Sequence, residues 1–234
     1  MKRFPDNRGG YNRNKINHDF FTTWSPTMAY VLGYAFADGT LIDSAPSRTC
    51  YLRFHSVDLD LLEQINNVLD HHGKIFHREP QIIKKGAKQY TSKICYYISI
   101  GSRKLFSDVT KLGLAPRKSL DIAFPYVPED HLCYFIRGYF DGDGCVNIRH
   151  DNKRLHVVFT SGSKVFLSAL SERLAGALPV GKKNVVNSTR SYQLRYSTRE
   201  AVKILAFLYE DLLKCPYLER KYAVYKKWRG TQMA

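Results

Sequence analysis

Acidic side chains are scarce in this sequence: 21 Asp and Glu stand against 36 Lys and Arg in 234 residues, a formal net charge of +15. The deficit is not confined to a tail, because residues 1–120 carry 18 basic and 10 acidic side chains and residues 121–234 carry 18 and 11. A folded body that is basic in both halves most simply faces a polyanion. Cysteine is sparse and unpatterned: the five are an odd number and none forms a Cys-x-x-Cys pair. That argues against a disulfide framework and a zinc finger, and it fits a reducing, intracellular setting. Long apolar runs are missing too. The longest uncharged stretch, residues 20–37, is broken by Pro26 and by Thr and Ser, and it ends at Asp38. This excludes a membrane span. The basic N-terminus has no apolar segment behind it, so it is no signal peptide. The expected setting is the cytoplasm or an organellar matrix.

What is present is ordinary globular composition, 44% apolar and 24% charged, long enough for one large domain or two small ones. Residues 1–24, rich in Asn, Arg and Gly, read as a basic flexible leader. From Ser25 the chain reads helix (25–37), two strands (40–43 and 49–56), an amphipathic helix through Leu61, Leu62, Ile65 and Leu69, a strand pair (73–78 and 92–100) joined by a Lys-rich connection, and a short helix (103–112). From Pro128 the pattern restarts: helix to Phe140, strands at 145–149 and 155–160, a helix through Val165, Leu167, Leu170 and Leu174, strands at 180–186 and 191–196, a helix over 199–213 and a basic one over 218–228. An internal repeat outranks any single motif in deciding the fold. The expected units are residues 25–114 and 129–234, with 115–128, where Pro116, Pro125 and Pro128 cluster, as the linker.

The repeat onsets carry the chemistry. Val31-Leu-Gly-Tyr-Ala-Phe-Ala-Asp-Gly39 and Ile136-Arg-Gly-Tyr-Phe-Asp-Gly-Asp-Gly144 each place two small residues four apart, Gly33 with Ala37 and Gly138 with Gly142. Such a stripe lets helix backbones approach closely. An Asp follows the second small residue in each copy, Asp38 and Asp143, and the Gly after it suits a left-handed helix end. Carboxylates at helix C-termini oppose the helix dipole, and they repel each other if the helices pack through their small faces. A cation between them, or a proton on one carboxylate, makes such an arrangement stable, and oxygen donors in a polyanion-binding protein suit Mg²⁺. Paired divalent ions clamp the attacking and leaving oxygens in phosphodiester cleavage.

On these motifs the sequence resembles the LAGLIDADG homing endonucleases, in the single-chain form with two motif copies, over roughly residues 25–228. The second copy, Phe135-Ile-Arg-Gly-Tyr-Phe-Asp-Gly-Asp-Gly144, is highly specific; the first has Phe36 where the motif's first Asp falls. The resemblance implies an α+β fold of two pseudo-symmetric αββαββα halves. Their motif helices form the interface, and two saddle-shaped antiparallel sheets lie on double-stranded DNA. It implies Mg²⁺-dependent cleavage of both strands at a long target by a monomer, with Ca²⁺ able to occupy the site without supporting cleavage. Asp38 and Asp143 are the implied catalytic and metal-binding acids, with Ala37 and Gly142 in the same metal site. Around them the family places a polar residue before each half's second helix, which falls on His55 and on Thr160, and a lysine late in each half, which falls on Lys118 and Lys221. DNA contacts are expected from the strands and their connections: Arg53, Arg78, Lys84, Lys85, Lys88, Lys93, Arg149, Lys153, Arg154, Lys182, Lys183, Arg190 and Arg195. The alternative reading is an RNA-binding maturase of the same fold acting on intron RNA. A transcription factor on this fold is disfavoured, since both acids are intact and no helix-turn-helix follows.

Overall fold

The structure, a computed structural model, describes residues 15–44, 49–86, 88–116, 121–149 and 154–233. Seven helices and ten strands are described, in two halves that share the order αββαββα, with a two-stranded ribbon added in the first and a final helix in the second. The first half runs α1 (Pro26–Asp38), β1 (Gly39–Ser44), β2 (Thr49–Ser56), α2 (Leu59–Val68), β3 (Phe76–Arg78), β4 (Ile82–Lys85), β5 (Lys88–Thr91), β6 (Cys95–Gly101) and α3 (Arg103–Lys111). The second runs α4 (Glu129–Asp143), β7 (Gly144–Ile148), β8 (Leu155–Ser161), α5 (Lys164–Ala177), β9 (Val186–Ser188), β10 (Ser191–Ser197), α6 (Arg199–Leu208) and α7 (Glu219–Met233). Each half forms a four-stranded antiparallel sheet in the same order, β1-β2-β6-β3 and β7-β8-β10-β9. No helix among the described residues is long and apolar enough to cross a membrane.

Helices α1 and α4 cross at the centre of the molecule. Ser25 caps α1 by accepting the Met28 N–H at 3.1 Å, and Pro26 opens it, as the sequence indicates. α1 is apolar almost all round, with Met28 to Phe36 buried, and α4 buries Leu132 and Tyr134 to Asp141, because each helix packs on its partner and on its own sheet. A Cβ added at Gly33 would fall on the Phe135 carbonyl oxygen and within 3.0 Å of Tyr139 N. A Cβ at Gly138 would fall on the Tyr30 carbonyl oxygen and within 2.9 Å of Tyr34 N. The contacts are reciprocal, as pseudo-twofold symmetry requires. At the helix ends the reason for glycine differs from the expected one. Gly39 and Gly144 are extended (φ −82° and −94°), not left-handed. They are needed for room: a Cβ on Gly39 would sit 2.5 Å from the Ala35 carbonyl oxygen, and one on Gly144 would strike Phe140.

Other expectations shift. The Lys-rich connection is not a loop; it folds into the two-stranded β4–β5 ribbon, which turns at Gly86 (φ +61°). Its counterpart in the second half is the tight turn at Thr189 and Arg190 (φ +58°). Of the expected strand at 180–186 only Val186 pairs, as the first residue of β9, because Lys183 bonds through its backbone to the Ser171 hydroxyl on α5 instead. Residues 15–24 are anchored rather than loose. Phe20 and Phe21 are buried, Asn17 N–H donates to Leu69 O, and His72 N–H donates to Lys15 O. Residues 121–128 pack likewise: Phe124 lies edge-on against Phe135, and Arg173 holds the Val127 carbonyl at 2.9 Å.

Candidate active site

Asp38 and Asp143 are the last residues of α1 and α4. The helix ends that carry them touch: a Cβ on Gly142 would strike Ala37 Cβ and lie 3.1 Å from Asp38 Oδ2. Beneath each acid lies a tyrosine from the preceding turn. The Tyr34 hydroxyl donates to the His55 carbonyl at 2.6 Å, and the Tyr139 hydroxyl donates to the Thr160 carbonyl at 2.7 Å. Burial raises both phenol pKa values, and the nearby carboxylate adds to it, Asp38 for Tyr34 and Asp143 for Tyr139. Both phenols therefore stay protonated and donate at every physiological pH. These bonds fix the ends of β2 and β8 beside the acids, so His55 and Thr160 occupy equivalent places, as the sequence alignment of the halves has them. The His55 pKa is lowered by burial and by Arg53 and Arg78, so its imidazole is uncharged at neutral pH. Among the described residues, no group of three or more His, Cys, Asp and Glu side chains gathers to hold a metal.

The lysines fare differently. Lys118 lies outside the described residues. Lys221 is 4% exposed, and its ammonium donates to the carbonyls of Phe140 (2.5 Å), Asp141 (2.9 Å) and Gly144 (2.5 Å). All three N–H groups are thereby engaged, and the charge sits against the negative end of the α4 dipole. Burial pulls its pKa down to about 8 against the attraction of Asp141. Lys221 thus closes the end of the helix that bears Asp143 and does not face outward toward a phosphate.

Asp141 is a buried acid that the motif comparison of the two halves passes over as a site residue. Its Oδ2 accepts from the Tyr30 hydroxyl (2.8 Å), across the interface, and from Leu218 N–H (2.9 Å). Burial raises its pKa to about 6 despite Lys221. The signal is present in the motif, as the acid that the first copy replaces by Phe36. One turn earlier, Arg137 is 1% exposed and donates to Asp211 O at 3.0 Å and Cys215 Sγ at 2.8 Å.

The outward sheet faces hold part of the expected DNA-contacting set. On the first, Arg53 lies over the Tyr97 ring (5.2 Å) and Phe76 stacks on Tyr97 (5.3 Å), with Arg78 paired opposite Cys95 in the register. Lys84 and Lys93 are exposed at the ribbon and beyond it, and Lys85 and Lys88 are paired positions on the ribbon. On the second sheet, exposed Arg195 shares a face with Gln193, which accepts from it at 2.7 and 2.9 Å. Arg149 and Arg154 flank the β7–β8 hairpin, Arg190 sits at the β9–β10 turn, and Lys153 lies outside the described residues. Lys182 and Lys183 go elsewhere. They pair with Glu172 (2.5 Å) and Glu200 (2.8 Å) on the helical layer, away from the strand faces.

Comparison with known proteins agrees with this arrangement. The family model of the LAGLIDADG-like domain matches residues 130–208. No curated protein matches the chain. Among solved structures, the chain is similar to the homing endonuclease I-WcaI bound to its DNA recognition sequence, with 13% identity over 88% of this chain and 90% of that one (TM-score 0.57). It is also similar to the LAGLIDADG homing endonuclease I-GzeII in complex with its DNA target, with 14% identity over 89% of each chain (0.56). A third is I-SmaMI bound to uncleaved DNA target in the presence of calcium ions, with 15% identity over 90% and 91% (0.52). Residues 130–208 thus match a LAGLIDADG-like domain, and the residues before them form, in one polypeptide, a first half with a sheet of the same strand order.

Proposed function

We propose that the protein is a site-specific double-strand DNA endonuclease, hydrolysing phosphodiesters with divalent cations held between Asp38 and Asp143. The observation that carries this reading is the contact of the two motif-helix ends, with Ala37 and Asp38 against Gly142. Two carboxylates there oppose two helix dipoles and each other, and close backbone packing holds them in place. The residues fit a hard cation. Mg²⁺ takes one or two carboxylates and completes its shell with water and phosphate, so two acids suffice. Carbonyls in the last turn of a helix lack intrahelical partners, which leaves Ala37 and Gly142 as further oxygen donors. A bound divalent ion supplies Lewis acidity to the phosphoryl oxygens.

The chain's own residues do the rest. The two sheet faces, with Arg53, Arg78 and Arg195 outward, suit groove edges and phosphates, and a two-stranded ribbon fits the major groove. Neutral His55 is able to take a proton from an attacking water. The net charge of +15 and the DNA-bound states of the similar structures support the reading. The test is incubation with randomised duplex DNA and Mg²⁺, followed by sequencing of the cut ends. One sequence class should be cut on both strands. Asp38→Asn and Asp143→Asn should each abolish double-strand cutting while Ca²⁺-supported binding persists. A protein that cuts no duplex and binds intron RNA would move the assignment to the maturase reading.

A further inference from the structure

A cavity of about 210 Å³ opens beside Asp38, lined by Tyr34, His55, Asp58, Gly142 and Arg220 among others. The neighbouring cation in sequence, Lys221, is wholly engaged in closing α4. Arg220 is not. Its Nε donates to both carboxylate oxygens of Asp58, at 2.9 and 3.0 Å, and among the described residues its Nη groups make no hydrogen bond. Asp58 belongs to the first half and Arg220 to the second. Asp58 also stands at the N-cap position of α2 yet makes no capping bond. Its counterpart Ser163 does cap α5, accepting the Phe166 N–H at 3.2 Å. The aspartate is diverted from its own helix to hold the guanidinium.

We propose that Arg220, aimed by Asp58, contacts the scissile phosphate on the Asp38 side of the site. This rests on the endonuclease reading above. Fixing Nε leaves the four Nη hydrogens for an acceptor, and a planar guanidinium matches two phosphate oxygens at once. A cation already oriented where charge develops stabilises the transition state without reorganisation. Asp58 is the positioning residue; Arg220 touches the substrate.

The experiment uses the target recovered from the cleavage library. Binding is measured in metal-free buffer to the ordinary duplex and to a duplex whose Asp38-side scissile phosphate is a methylphosphonate, which carries no charge. The wild type should prefer the charged duplex, Arg220→Met should lose that preference, and Arg220→Lys should keep part of it. In single-turnover cutting with Mg²⁺, Arg220→Met should slow the Asp38-side strand about 100-fold and leave the other strand nearly unchanged. Asp58→Asn should slow the same strand less, because the charge remains while its aim is lost. If Arg220→Met keeps the phosphate preference, the proposal fails while the endonuclease reading stands. If Arg220→Met and Asp58→Asn instead lower the melting temperature alike and slow both strands alike, the pair is only a tether between the halves. A wild type that cuts no duplex overturns both readings.

Discussion

The two motif helices meet as equals at the backbone but differ beside it. Gly33 and Gly138 face each other's neighbours reciprocally, and Tyr34 and Tyr139 make the same bond to the ends of β2 and β8. At the two positions flanking that shared frame, α1 carries Leu32 and Phe36, both buried, where α4 carries Arg137 and Asp141, also buried. The first helix is wedged by apolar packing; the second is tied by hydrogen bonds to Tyr30, Leu218, Asp211 and Cys215. Symmetry is thus kept where it fixes the distance between the acids and relaxed where it only anchors a helix. The sheets differ in the same spirit. The first carries an aromatic and cationic face and a ribbon; the second has Gln193, Arg195 and a two-residue turn.

The shared frame should break first. Gly138→Leu and Gly33→Leu both force a side chain onto a backbone carbonyl, so each should cost about 3 kcal/mol or more, and by similar amounts. Thermal unfolding checks this, with the Ala variants as milder versions. A melting temperature unchanged in one half alone would end the claim of equivalence.

Next comes the asymmetric pair. Placing the first half's residue in the second, Asp141→Phe, leaves the Tyr30 hydroxyl and Leu218 N–H without an acceptor and Lys221 without its nearby carboxylate. A loss of about 3–5 kcal/mol is expected in denaturant unfolding. The same phenylalanine is buried at position 36. A wild-type midpoint in the variant would show that the two anchors are interchangeable.

A smaller effect tests the sheets. Replacing residues 82–91 by a short turn should leave stability near wild type, because Ile82, Ile83, Lys84 and Tyr90 are exposed. DNA affinity should fall, and the slope of log K against log salt should shrink by about 0.9 for each phosphate that the ribbon had neutralised. An unchanged slope would place the ribbon off the DNA.

The smallest expected effect concerns acid. Burial lowers the pKa of His71, which bonds Asn66 at 2.6 Å. The fold therefore favours neutral imidazole. Its contribution is complete above the unfolded pKa near 6.5 and is lost as the pH falls below it toward the folded value. His71→Gln should flatten the drop in melting temperature between pH 7 and pH 5, by less than about 1 kcal/mol in stability. A variant that keeps the full slope would place the acid sensitivity elsewhere.

Periodicity and duplication made the architecture readable from residues alone: the helix opened by Ser25 and Pro26, the alternating β2 with its strand-like counterpart β8, and the repeated Gly-xxx-small-Asp-Gly. Each of these is a local pattern with one low-energy solution, namely an apolar face to bury and a small stripe that only another helix backbone fills. The net charge was equally legible, since it needs no fold at all. Long-range pairing decided the rest. Nothing local in Glu219-Arg220-Lys221 says that the lysine turns inward to the carbonyls of α4 while the arginine reaches Asp58, 162 residues away in sequence. Nor does the Lys-rich stretch after β3 reveal a ribbon, or the Asn-rich leader reveal that Phe20 and Phe21 join the core. A lysine's stem serves burial and its ammonium serves either water or carbonyls. Which one it meets depends on where the end of another helix has been placed.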